Sequence, residues 1–238
     1  APAAPSAVAV HEPPAIPAAP TGTRVRVHSF AGNVTVQGVP GIHEPVVRSG
    51  EGVQVERDGN SFNVSATRRM DNPTELQWLD TVFKALGRVI PTDIVLDVPA
   101  DLAVLDVRAM AGNVRVRGVH GRLELEAVAG NVDVRDAEEF QVKSTAGNVD
   151  VAGRLRSGRS TASSQAGNAT VHLEAGSSVR LDARSTVGNA TVTGFRITRA
   201  EKGITGQSLE GVLGEGTAYL DVRSTAGNVT VTTEAVAL

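Results

Sequence analysis

The sequence predicts an all-β fold: one β-solenoid, or β-helix, of about seven to eight short coils, with one inserted amphipathic helix and a hairpin. Three observations predict it. An Ala-Gly-Asn motif (Val-Gly-Asn once) recurs with its Asn at 33, 113, 131, 148, 168, 189 and 228, and the middle five lie 18, 17, 20 and 21 residues apart. Such a period marks stacked supersecondary units. The residues around each motif alternate apolar and polar, the signature of strands with one buried face. Aromatic residues make up only 3% of the chain, so the core must be built from Val, Ala and Leu, which favours strands.

The first element is a tether. Residues 1–22 open with "APAAPSAVAVHEPPAIPAAP", which holds six of the eleven prolines and no periodicity, and so reads as an extended, semi-rigid spacer. The first residue is Ala, which fits removal of an initiator Met or cleavage of a signal peptide or anchor. A Pro/Ala spacer ahead of a β-rich body favours an extracytoplasmic or cell-envelope location, and the sequence leaves a cytoplasmic one open. No apolar run is long enough to span a bilayer as a helix. The net charge of −3 gives no electrostatic reason to expect nucleic acid or an anionic membrane as partner. The absence of Cys removes disulfides, thiolate metal sites and thiol nucleophiles.

The repeat occupies residues 23–238. Counted from each Asn, the positions eight and six before, and one and three after, are apolar in nearly every copy; position four before is always Ala or Ser, and position two before is Ala or Val. These columns are expected to point inward. Gly supplies a positive φ at a corner between two short strands, and Asn tolerates the turn, so stacked coils would align the Asn residues into a ladder. The Ala/Ser column, including Ala127 and Ser164, marks where the coil is too narrow for a larger side chain. The gap of 39 residues before Asn228 predicts that one coil has degenerated into "FRITRAEKGITGQSLEGVLGEG".

Residues 40–93 interrupt the repeat. Val53 and Val55 facing Phe62 and Val64 around Asp58-Gly59-Asn60 predict the hairpin. Asn72, Pro73 and Glu75 form a helix start, Leu76, Leu79, Phe83, Leu86 and Ile90 recur at helical spacing, and Pro91 stops the run, which predicts a helix over 72–90. Packing on the flank or over an open end is expected, the alternative being a partner-binding or membrane-surface helix; its polar face lacks the Lys/Arg excess of a membrane binder.

The chemistry-bearing residues are few. The five His are scattered, and no HExxH, GxSxG, P-loop or EF-hand loop occurs. No catalytic, metal or cofactor-binding residue is proposed. Asp133 and Asp150 fall at the same outward position of successive coils, with Arg115 one coil earlier. Their ~4.8 Å offset is near the carboxylate separation of retaining glycosidases. Stacking forces that proximity on any outward pair, however, and Arg115, Arg117 and Arg135 can neutralise it, so a surface charge ladder is the expectation. Thr191/Thr193 and Thr230/Thr232 echo ice-binding arrays, but Arg115, Asp133 and Asp150 interrupt the column. After Val229 and Val231 no helix signal, Pro or Lys-rich stretch follows. If coils stack in chain order, that last coil is an open edge for self-association or a partner chain.

The pattern "VPADLAVLDVRAMAGNVRVRGV", and the later "GEGTAYLDVRSTAGNVTV", resemble the bacterial putative-adhesin β-helix family over residues 94–238, and more loosely over 23–66. The resemblance implies a cell-envelope protein whose defining domain has no settled biochemical function. The expected function is a non-catalytic structural or adhesin-like interaction module, binding protein or glycan through a ladder face or an open end. The alternative is a β-helix polysaccharide lyase or glycoside hydrolase.

Overall fold

A computed structural model describes residues 22–50, 52–66 and 92–234, and among these residues every regular element is a strand. The helix expected over 72–90 and most of the tether lie outside the described residues.

The first repeat gives β1 (Arg24–Ala31) and β2 (Val34–Val39). Next come β3 (Val46–Ser49), β4 (Val53–Asp58), β5 (Ser61–Ala66) and β6 (Ile94–Pro99). Four regular repeats follow: β7 (Val104–Ala111) with β8 (Val114–Arg117), β9 (Arg122–Ala129) with β10 (Val132–Ala137), β11 (Glu139–Ala146) with β12 (Val149–Gly153), and β13 (Arg159–Ala166) with β14 (Ala169–Leu173). The chain ends in β15 (Val179–Val187), β16 (Ala190–Val192), β17 (Arg196–Lys202), β18 (Gln207–Leu213), β19 (Ala218–Ala226) and β20 (Val229–Thr233).

Two sheets face each other, and each coil contributes one strand to either. The wide sheet runs β17-β18-β15-β19-β13-β11-β9-β7-β1-β5-β4, and the narrow sheet β16-β20-β14-β12-β10-β8-β2-β6-β3. Pairing between coils is parallel and in the register of the Asn alignment: Leu105 sits beside Leu123, and Val132 beside Val149. Val25, Leu105, Leu123, Phe140, Leu181 and Leu220 are buried from one sheet, and Val36, Val116, Val134, Val151 and Val231 from the other. The Ala/Ser column is buried as expected, with Ala127 and Ser144 fully enclosed.

The corner explains the motif. The Gly residues have positive φ, and a Cβ on Gly130 would lie 2.0 Å from the carbonyl oxygen of Gly112 one coil away. Only Gly allows backbones to stack that closely. The Asn ladder is present and directional: the Oδ1 of each Asn up to Asn228 accepts the backbone N–H of its counterpart in the next coil of the stack, at 3.0 Å from Asn113 to Asn131 and 2.8 Å from Asn131 to Asn148, and the ladder ends at Asn189. Its first rung is Asp93, whose Oδ1 accepts from the backbone N–H of Asn33 at 2.7 Å. Ser144, Ser164, Ser185 and Ser224 in the narrow column donate their hydroxyls to glycine carbonyls of neighbouring coils. At these four positions Ser therefore satisfies a corner carbonyl without adding bulk.

Three expectations are corrected. The column two before the Asn does not point inward: Ala111, Ala129, Ala146, Ala166, Val187 and Ala226 are exposed. Each wide-sheet strand begins to bend there, so two successive residues face solvent and the alternation breaks before the Gly. Residues 195–216 are not a degenerate coil. Strands β17 and β18 form an antiparallel hairpin on β15, capping that end of the wide sheet. Finally, the coils do not stack in chain order. Strand β19 lies between β13 and β15, and β20 between β14 and β16, so the last coil in sequence is an interior one.

The predicted hairpin forms as β4 and β5, with Val55 opposite Val64. Its second strand also pairs in parallel with β1, so β5 and β6 make a terminal coil, and antiparallel β4 and β3 cover its two edges.

Candidate interaction surface

On the outer face of the narrow sheet, residues two and four after each Asn project in rows, and strand pairing puts Arg115, Asp133 and Asp150 side by side, as the sequence predicts. Asp133 contacts three guanidinium groups: Arg115 at 3.4 Å, Arg117 at 4.0 Å and Arg135 at 3.0 Å. Arg135 also donates to Asp150 at 2.7 Å. That hydrogen bond, joined by the charges of Asp150, Asp133 and Asp136, outweighs partial burial and raises the Arg135 guanidinium above its ordinary pKa. Both Asp residues meet guanidinium groups on an open face, the arrangement of a surface charge ladder. Beyond Asp150 the row continues as Thr170, Thr230 and Thr191, three neighbouring rungs bordered by that acid.

The wide sheet carries a second set of rows. An open groove of ≈ 350 Å³ runs between them, lined by Asp106, Arg108, Glu124, Glu126, Gln141 and Lys143 among others. Its charges are matched locally, with Arg122 on Glu124 at 2.9 Å and Lys143 on Glu126 at 3.5 Å. Towards the β17–β18 end the pairs sink into the surface. Asp182 and Asp221, neighbours on β15 and β19, are 8% and 3% exposed, and each receives two hydrogen bonds from the Arg two residues on. Burial raises the Asp221 carboxyl above its ordinary pKa; Arg223 opposes the shift and Asp182 adds to it. The Arg159 guanidinium lies 4.8 Å from the centre of the ring of Tyr219, two residues before Asp221 on β19.

Sequence reasoning missed one surface. At the first corner Phe30, Met110 and Val128 stand on three adjacent strands and are 52%, 51% and 43% exposed. The signal was present: three residues before the Asn is an outward position, and it is apolar in these three copies. In the coils beyond, it is Thr145, Gln165, Thr225 and Thr186. Ala66 and Thr92, which bracket residues 67–91, adjoin Ser29 and Ala31 beside Phe30.

Val229 and Val231, nominated as an open edge, are fully buried, and β20 is hydrogen-bonded on both sides. The structure therefore overturns the expected C-terminal docking edge. Among the described residues, no three of His, Asp and Glu converge as metal ligands would.

A family model described as Toastrack DUF4097 matches residues 21–232. Two solved structures are similar at low identity. A "putative cell adhesion protein" from Clostridium sporogenes has a TM-score of 0.47 and 12% identity, covering 91% of this chain and 94% of that one. A "putative adhesin" from Bacteroides fragilis has a TM-score of 0.39 and 14% identity, with the same coverage of 91% and 94%. No curated protein matches the sequence significantly.

Proposed function

Because this chain belongs to the Toastrack DUF4097 family, we propose that it is a non-catalytic, adhesin-like interaction module of the bacterial cell envelope that binds a protein or glycan through a ladder face. The observation that carries the reading is the Arg115–Asp133–Asp150 row. Its acids are held by Arg117 and Arg135 as well as Arg115, on a flat face with side chains repeating at the strand spacing. Such a face offers many shallow polar contacts to a repetitive partner and no enclosed space for a reacting bond. The Pro/Ala-rich composition of residues 1–20 supports display away from an attachment point, hence an extracytoplasmic location.

On this reading the stack is a solenoid of eight coils, counting β5/β6 as the first. The sequence periodicity of residues 72–90, which lie outside the described residues, supports a helix whose Leu/Phe stripe is covered by the solenoid. Leu79→Ala and Phe83→Ala should then each destabilise the fold by ~2–5 kcal/mol in denaturant melts. Unchanged melts would refute that packing.

The test of function is a binding screen against bacterial surface glycans and envelope proteins, run alongside turnover assays on acidic and neutral polysaccharides. Capture by the wild type that is weakened in Arg115→Ala and Asp133→Ala supports the proposal. Polysaccharide cleavage abolished by Asp133→Asn or Asp150→Asn overturns it in favour of a β-helix lyase or hydrolase.

A further inference from the structure

The out-of-order stacking of the last coil has a mechanical consequence. After β14 the chain crosses residues 174–178 to β15 and β16, which stand one position further along the stack and leave a vacant rung behind them. It then makes the β17–β18 hairpin and returns through residues 214–217, and β19 and β20 fill that rung. Neither β13 and β15 nor β14 and β16 pair directly; every ladder hydrogen bond across the rung runs through residues 218–233.

The occupant is bound as fully as a core element. Leu220, Val222, Val229 and Val231 are completely buried, Asn228 continues the Asn ladder between Asn168 and Asn189, and Ser224 donates to the Gly167 carbonyl at 2.8 Å. Its attachment is the short return over residues 214–217, where the backbone N–H groups of Glu215 and Thr217 donate to the Ser178 hydroxyl and the Thr217 hydroxyl donates to the Arg156 carbonyl. Gly214 and Gly216 have φ of 61° and 70°, and Gly214, Glu215 and Thr217 are exposed.

The rung also reads its occupant's sequence. Residues 181–192, "LDARSTVGNATV", and 220–231, "LDVRSTAGNVTV", differ at three positions only, and like residues lie side by side: Asp182 with Asp221, Arg184 with Arg223, Ser185 with Ser224. A segment that fits here must repeat the strand-corner-strand length, the Gly and Asn of the corner, and the Asp-x-Arg pairing. A second copy of this chain supplies all of these.

We propose that the rung between β13/β14 and β15/β16 accepts residues 218–233 from a second copy, so that molecules associate by exchanging their last coil. Every contact made in trans is the one already made in cis, so exchange needs no new interface and is governed by the geometry of residues 214–217. This is association by replacement of a buried strand, distinct from docking on an exposed edge. It stands independently of what the ladder faces bind.

The chain has no Cys, so paired cysteines report exchange directly. Thr170 and Thr230 are register partners across the rung on the outer face. A Thr170→Cys/Thr230→Cys double variant should close an internal disulfide under oxidation. A mixture of the two single variants, concentrated after a brief denaturant pulse, should give a disulfide-linked species of twice the monomer mass. A mixture of Thr35→Cys with Thr230→Cys should give none. Deleting Glu215 and Gly216, which shortens the return, should move the full chain from monomer towards dimer in light scattering. Internal closure of the double variant, with no mixed species from the single variants, overturns the proposal even if the shortened chain fails to fold.

Discussion

At the corner, three residue types do three different jobs: Gly lets two backbones touch, Asn passes a hydrogen bond to the next coil, and Ser or Ala fills the narrow space beneath. Gly147→Ala places a methyl group 2.1 Å from the Gly130 carbonyl oxygen at a φ of 152°. It should cost at least about 1–3 kcal/mol in denaturant melts, as backbone strain does elsewhere. Ser164→Leu and Ala127→Leu should overpack the column by ~1–3 kcal/mol or more, whereas Thr170→Leu on the outer face should change stability by no more than about 0.5 kcal/mol. Equal melts for all three would refute the register. Asp221 makes a pH prediction. Its native carboxyl titrates above the unfolded value, so between the two the folded state holds the extra proton, and stability falls as pH rises through that window. Asp221→Asn removes this slope. If the wild type instead gains stability relative to the variant over the same window, the Arg223 pair outweighs burial. Residue roles at the corner were legible because each column repeats seven times. Asp93 as first rung was not, since it stands outside any Gly-Asn motif.

The wide sheet is closed by antiparallel strands at both ends, β17–β18 at one and β4 at the other; the narrow sheet is closed by β3 at one end and ends in the short strand β16 at the other. The outermost strand β17 is exposed along its length and reads Arg-Ile-Thr-Arg-Ala-Glu-Lys, with a register irregularity between Ile197 and Arg199. Charge and irregularity are what keep an edge from recruiting another strand. Replacing Arg199 and Lys202 together by Val should therefore raise association measured by light scattering while leaving the melt nearly unchanged; a monomeric variant would show that another feature guards the edge. These end elements were the least legible part of the chain. The hairpin at 53–66 was legible from its Asp-Gly-Asn turn, with Val55 opposite Val64, but Val53 faces Ala66 and Phe62 faces Arg57. The parallel pairing of β5 with β1 was hidden, because its corner is replaced by residues 67–91. The stretch 195–216 was read as a failed coil because its length matched one period. The exposed Ala column was misread because it continues an apolar alternation, although the strand has already begun to bend.

For the whole molecule, the wrong inference came from assuming that neighbours in sequence are neighbours in the stack. That assumption held from β7 to β14 and failed at the last coil, and the failure moved Val229 and Val231 from a predicted edge to the core. The near-identity of residues 181–192 and 220–231 was the sequence signal for their adjacency. The Arg115–Asp133–Asp150 row was legible because it lies in the regular part, where register follows directly from the Asn spacing. The interior position of the last coil underlies the continuous Asn ladder and the exchangeable rung, and amide hydrogen exchange along residues 229–231 of the monomeric chain tests it most directly. With β14 on one side and β16 on the other, these amides should exchange as slowly as those of Val149 to Gly153 in β12. Fast exchange at Val229 and Val231, with protection retained in β12 and β14, would place the coil at an open edge and contradict the architecture.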